Sequence, residues 1–340
     1  MSERSDAKHW IGFDLGGTKM LCQVYDDDLK VVGRDRRKTK ASTSGSLDRI
    51  HECIDAALAD AKVTREQLAG IGIGCPGPVD MEAGIVINPP NLNWKEVPVG
   101  PKLQDEYKCP ATVLNDVDSG VYGEYRFGAG QGARCVVGVF PGTGVGGGCV
   151  YRGEILRGAK TTCMAIGHVQ VMPEGPLCGC GRRGCLEAVA SRLAIAAMAA
   201  KAVFRGDAPH LKELAGTDIS EIRSSALSES IKAGDKVVEE IVKEGARHIG
   251  VAVAGVVHLL CPDVIILGGG LLEAMHDVFI DQVSKTARKR VMPAYKDMFE
   301  VKGSKLGDDA VALGAAAWAR REFAAADGKP GTQIEGTQRG

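Results

Sequence analysis

The sequence predicts an α/β protein of two similar lobes, and three observations carry that expectation. A turn rich in glycine and threonine joins two apolar runs twice in the chain: residues 10–15 to 20–25 through Gly16, Gly17 and Thr18, and 135–140 to 145–151 through Gly142, Thr143 and Gly144. Each reads as a β-hairpin with a glycine turn. After each hairpin, strand-like and helix-like periodicities alternate, the signature of a partly parallel sheet with helices on its faces. An apolar strand at 263–267 runs into Gly268, Gly269 and Gly270 and then a helix, a strand-to-helix junction of the kind that meets a nucleotide.

In chain order, 31–36 reads as a third strand, and 46–62 as a helix with Leu47, Ile50, Ile54, Leu58 and Ala61 on one face. A strand at 68–74 enters the rigid turn Cys75, Pro76, Gly77, Pro78. A brief strand at 112–114 ends at Asn115 and Asp116, and a helix at 117–127 follows. Beyond the second hairpin come a cysteine-rich loop, a helix from about 186 to 204, a long helix at 236–260 and a last helix at 308–323. The duplication is at domain scale, and the expected division is 1–117 plus 308–323 in one lobe, 118–307 in the other, and a frayed polar tail at 324–340.

With 42 basic and 43 acidic side chains in 340 residues, no net field draws the chain to nucleic acid or anionic membrane, so neither is expected as a partner. The polar stretch 1–9 lacks the apolar segment of a signal peptide, and 249–261 is too short to span a bilayer; a cytoplasmic location is the expectation. Eight of the 11 cysteines (22, 53, 75, 109, 135, 149, 163 and 261) lie singly without a repeating spacing, as buried reduced thiols do.

Both glycine turns suit phosphate. Glycine lets the backbone approach an anion and aim successive N–H groups at it, and a threonine hydroxyl adds a donor. Asp14, Gly16, Gly17, Thr18 and Lys19, with Gly142, Thr143, Gly144 and the cluster Gly268, Gly269 and Gly270, therefore point to ATP held between two lobes. Asp116, between a strand and a helix, is the expected chemical group: for phosphoryl transfer to an alcohol, one carboxylate accepts the hydroxyl proton while Mg²⁺ and backbone donors neutralise the phosphates. It also suits a helix cap, and both roles are compatible. Asn115 beside it can hydrogen-bond a polyol. His168, Cys178, Cys180 and Cys185 offer three thiolates and an imidazole, a closed tetrahedral zinc set with no open position, so a structural Zn²⁺ that holds the loop and Glu187 in place is expected.

These motifs resemble the ROK sugar kinases, a family within the actin-like ATPase (ribonuclease H-like) fold, over nearly the whole chain from about Trp10 to Ala317. Asp14 to Lys19 and Gly142 to Gly148 are similar to its two phosphate motifs, Pro76 to Asp80 to its Pro-Gly-Pro loop, Gly167 and His168 with Cys178 to Glu187 to its zinc signature, and Pro262 to Gly270 to its adenosine motif. The resemblance implies that Asp116 is the base on the sugar's terminal hydroxyl, and that Asn91, Asn115, His168 and Glu187 contact ring hydroxyls, His168 using one nitrogen for zinc and the other for sugar. It implies a homodimer or homotetramer, and phosphorylation of glucose at its 6-hydroxyl as the commonest activity. One departure stands out: the family writes Gly-Glu-x-Gly-His where this chain has Met164, Ala165, Ile166, Gly167 and His168. Loss of a charge-assisted hydrogen bond at Ala165 costs on the order of a few kcal/mol, enough to shift preference toward another hexose or an N-acetylhexosamine, or to leave a non-catalytic sugar sensor. A sugar-responsive repressor needs a DNA-binding domain ahead of this body, and only about nine residues precede the first strand.

Overall fold

The computed structural model describes residues 9–39, 45–89 and 92–326. The chain forms two compact units, one of Met1–Gly123, Arg157–Thr162 and Asp308–Gly340, the other of Glu124–Leu156 and Cys163–Gly307. No helix among the described residues is long and apolar enough to cross a membrane.

The first unit opens with β1 (His9–Leu15), β2 (Lys19–Tyr25) and β3 (Val31–Lys38), followed by α1 (Gly45–Ala61) and β4 (Leu68–Cys75). The two-residue strands β5 (Val79–Asp80) and β6 (Ile85–Val86) pair with each other; then come α2 (Val99–Tyr107), β7 (Ala111–Asn115) and α3 (Asp116–Phe127). The second unit holds β8 (Cys135–Pro141), β9 (Val145–Tyr151), β10 (Glu154–Ile155), α4 (Leu186–Ala190), α5 (Arg192–Arg205), α6 (Pro209–Ala215), α7 (Ser224–Ala233) and α8 (Lys236–Leu260). It is completed by β11 (Val264–Leu267), α9 (Gly270–Ala274), α10 (His276–Arg290) and β12 (Glu300–Gly303), after which α11 (Ala310–Ala326) returns to the first unit.

The two sheets share one plan. The first runs β3-β2-β1-β4-β7 and the second β10-β9-β8-β11-β12; in each, three antiparallel strands are extended by two parallel ones. That repeat is the α/β duplication expected from the two glycine-turn hairpins.

Alternation along β1 explains how helices cover the first sheet. Ile11, Phe13 and Leu15 point to the face that packs with Ile50, Ile54 and Leu58 of α1, all buried. The opposite face carries Gly12 of β1 and Gly72 of β4, where α11 lies so close that a Cβ on either glycine would overlap the carbonyl oxygen of Ala312 or Ala315. Small residues on both sides thus let a helix backbone rest on a strand backbone. In the second unit Val137 and Val139 of β8, with Ile265 and Leu267 of β11, share a buried core with Ile249 and Val253 of α8 and Phe279 and Val283 of α10.

One helix expected at about 186–204 is two. Ser191 stands extended between them, and its Oγ accepts the Ala194 N–H at 3.2 Å, capping α5. Of the eight scattered cysteines, six are buried, whereas Cys163 is half-buried and Cys261 exposed at the left-handed cap of α8; all are free thiols. The tail beyond residue 326 lies outside the described residues.

Gly72→Ala is expected to destabilise the chain by about 1–3 kcal/mol, because α11 must move off the sheet. A Cβ placed on Gly255 of α8 would meet no neighbouring atom, so Gly255→Ala is expected to stabilise by up to about 1 kcal/mol through helix propensity. Denaturant midpoints of the two variants check both signs.

Candidate active site

Parallel pairing brings the ends of three strands to one edge of the first sheet. Asp14 of β1 pairs with Gly74 of β4, and Gly74 with Leu114 of β7, so Leu114's neighbours Asn115 and Asp116 leave the sheet beside the end of β1. The carboxyl edge of a parallel sheet is where ligands of α/β proteins bind.

Asn115 and Asp116 divide the capping work. The Asn115 Oδ1 accepts the N–H groups of Val117 (2.9 Å) and Asp118 (3.2 Å), while its Nδ2 donates to the Gly77 carbonyl at 3.0 Å. Asn115 thus ties the start of α3 to the Pro76-Gly77-Pro78 turn. Asp116 accepts the Val117 N–H through Oδ1 at 2.9 Å. Burial pushes the Asp116 carboxyl up to about 6, against the pull of the Val117 N–H and the Asn115 side chain. Asp14 rises to about 7, first through burial and then through the negative charges of Asp116 and Asp308, with Arg36 opposing. Each of these carboxylates is therefore poised close to neutral pH.

The turn after Asp14 is braced from β3. Thr39 donates its N–H to the Thr18 carbonyl at 2.9 Å and its Oγ1 to the Gly16 carbonyl at 2.7 Å, which leaves Thr18 and Lys19 exposed at the tip. Asn91 lies outside the described residues.

Two acidic residues of α3 were missed by sequence reasoning. Asp118 is buried with neither carboxyl oxygen partnered, and burial together with the Asp116 charge pushes it well above the ordinary range. Its signal was there, a second acid two residues beyond Asp116, but nothing local says it is buried. Glu124 is fully satisfied: its Oε1 accepts from Ser304 Oγ, Lys305 N and Leu306 N at 2.6–2.8 Å, and its Oε2 accepts from Ala129 N at 2.8 Å. It is a structural brace, and only its partners about 180 residues away reveal it.

In the second unit, Gly142, Thr143 and Gly144 form the turn between β8 and β9, with Gly142 donating to the Gly144 carbonyl at 2.8 Å. Val145, which follows, donates its N–H to Glu187 Oε2 at 3.0 Å, and a Cβ on residue 144 would overlap that oxygen. Gly268 to Gly270 follow β11, which pairs in register with β8. The ring of Phe140 fills the space a side chain at Gly268 would need.

The ligating atoms of His168, Cys178, Cys180 and Cys185 all lie within 4.8 Å of one another. The Cys178 Sγ is 3.7 Å from His168 Nδ1, and the Cys180 and Cys185 sulfurs are 3.7 Å apart. A tetrahedral zinc with Zn–S bonds of about 2.3 Å places its sulfurs about 3.8 Å apart, so the donor set fits the metal in type, number and spacing. Nδ1 is the nitrogen that faces the sulfurs, and the residue is otherwise exposed. Ala165 is exposed three positions before it, and Met164 takes a left-handed φ of 57°, an uncommon conformation for a long side chain at the place where the family pattern has glycine.

Comparison with known proteins shows the family. The model of the ROK family matches residues 10–322. A glucokinase of Thermotoga maritima is 34% identical over 90% of this chain and 95% of its own length, and one of Halalkalibacterium halodurans is 31% identical over 90% and 93%. A ROK family glucokinase from Streptomyces griseus, solved in complex with glucose and AMPPNP, superposes with a TM-score of 0.81 at 31% identity, covering 92% of this chain and 99% of that one. With its family pattern matched over nearly its full length and its two like sheets in place, this chain belongs to the ROK family.

Proposed function

We propose that the chain is an ATP-dependent glucokinase, transferring the γ-phosphoryl group of ATP to the 6-hydroxyl of glucose. The observation that carries the reading is Asp116, a half-buried carboxylate at the carboxyl edge of the first sheet, raised by desolvation to a pKa of about 6 that suits a base at neutral pH. The relatives named glucokinase, and the relative holding glucose and AMPPNP, supply the substrate pair.

On this reading Asp116 accepts the proton of the 6-hydroxyl as that oxygen attacks the γ-phosphorus and the bond to the β-phosphate oxygen breaks. Asn115, held by α3 and the Gly77 carbonyl, keeps one amide hydrogen for a sugar hydroxyl. Asn91, His168 through Nε2, and Glu187 are the further sugar contacts. N–H groups of the turns at Gly16, Gly17 and Thr18 and at Gly142, Thr143 and Gly144, with Lys19, receive the phosphates, and Gly268 to Gly270 receive the adenosine. Mg²⁺ bound with ATP offsets phosphate charge. Asp14 fits a place near it, since the like charges around this carboxyl favour a cation beside it. Zn²⁺ held by His168, Cys178, Cys180 and Cys185 is structural, because four protein ligands fill its shell.

A second reading, a different hexose or an N-acetylhexosamine as the better acceptor, is favoured by Ala165, whose methyl group offers no hydrogen bond where the family pattern has Glu. ADP release measured over a panel of hexoses separates the two, and a glucose rate below that of another sugar replaces the first reading by the second.

Asp116→Asn is expected to lower kcat by about 10²–10⁴-fold with AMPPNP binding unchanged, since shape is kept and the proton acceptor lost. Retained turnover refutes the role. In the wild type, kcat is expected to fall as pH drops through about 6. Stability runs the other way: unfolded aspartate releases its proton near 3.8, and folded Asp14 and Asp116 hold theirs to about 7 and about 6. The folded state binds more protons between those values, so stability falls as pH rises across that window. Asp14→Asn is thus expected to melt above the wild type at pH 8 and level with it near pH 3, a comparison for thermal scans. Elemental analysis is expected to find about one zinc per chain, and chelation to lower Tm.

A further inference from the structure

We propose that Glu187 is a positioning residue that clamps the second glycine turn and makes its geometry depend on the Cys/His cluster; the proposal rests on the reading of that turn as a phosphate site. The peptide of Val145, first residue of β9 and last of the turn, is held from two sides. Glu187 Oε2 accepts its N–H at 3.0 Å, and the absence of a side chain at Gly144 leaves the carboxylate its place. On the other side Gly167 packs against the Val145 carbonyl so closely that a Cβ would overlap it. A third hold comes from the start of α5, where Arg192 N–H donates to the Gly142 carbonyl at 2.8 Å.

Two of these holds are built on the metal-binding residues. Gly167 precedes His168, and Glu187 lies two residues after Cys185, which is the N-terminal cap of α4. The Leu186 N–H donates to the Val169 carbonyl at 2.9 Å, joining the His168 segment to the start of α4. The other oxygen of Glu187, Oε1, is 3.8 Å from Cys178 Sγ. A metal that fixes His168 and Cys185 therefore fixes the N–H clamp and the carbonyl clamp on Val145 together. A carboxylate acceptor makes the N–H bond stronger than a neutral one, so its loss is felt in the turn. Glu187 thereby serves the nucleotide side of the reaction, beyond any contact with sugar.

Hydrogen exchange read by mass spectrometry on the full zinc-loaded chain, without ligands, tests the clamp directly, with a peptide over 264–267 as folding control. Exchange at Val145 is expected to accelerate about tenfold or more in Glu187→Ala and in wild type stripped with a chelator, and to return toward wild type in Glu187→Gln, which keeps a carbonyl acceptor. Glu187→Asp, one methylene shorter, keeps the charge and serves if the alanine variant also loosens 264–267; it too must accelerate exchange at Val145. In parallel, AMPPNP titrated without sugar is expected to bind about tenfold more weakly to Glu187→Ala than to wild type. Unchanged exchange at Val145 in folded Glu187→Ala or Glu187→Asp, or a loss confined to glucose affinity, overturns the proposal. Faster exchange in Glu187→Ala, when the zinc-loaded wild type itself binds no AMPPNP, leaves the clamp standing and removes the phosphate reading of the turn instead.

Discussion

In-register parallel pairing of β1, β4 and β7 is the constraint on which the first unit depends. Because Asp14, Gly74 and Leu114 share one line across the sheet, three chain segments leave the same edge together. That edge receives the start of α3 with its partial positive charge. The pairing is made possible on one face by the apolar side chains under α1, and on the other by the absence of side chains at Gly12 and Gly72, which lets α11 seal the sheet at backbone distance. Packing and site are one arrangement: the helix that closes the core also fixes the edge at which Asp14 and Asp116 lie.

The same arrangement sets the electrostatics. Asp14 and Asp116 lie half-buried near each other, and desolvation is the largest cause of the rise in each. In ordinary surface positions both would be ionised well below neutral pH, with little affinity for a proton. Burial costs folding stability and makes a carboxylate a stronger base, so the site exchanges one for the other. Asn115 limits the expense by taking two helix N–H groups itself, leaving Asp116 to share only the Val117 N–H.

The second unit repeats the sheet and changes what supports its turn. The first turn is braced by Thr39 from the neighbouring strand, a short-range device. The second is held by Glu187 and Gly167, which flank the cluster of His168, Cys178, Cys180 and Cys185, and no such cluster occurs among the described residues of the first unit. Duplicated topology leaves such supports free to diverge, since a glycine turn needs only that its backbone be held.

Much of the fold was legible in the sequence because its signals are local. Strand runs, the amphipathic face of α1, the glycine turns and the spacing of Cys178, Cys180 and Cys185 each lie within a window in which periodicity and turn chemistry act. The boundary of α4 and α5 was misread although Ser191 marked it, because a single cap is a weak signal inside a continuous apolar pattern. What only the tertiary structure decided is partnership over distance: Glu124 with the segment at 304–306, Glu187 with Val145 across 42 positions, and the burial of Asp118 without a partner. Residue types and spacings determine which elements form and which chemistry is available. Strand order and packing determine which polar groups lose water and which partner each one finds, and no local window contains that information.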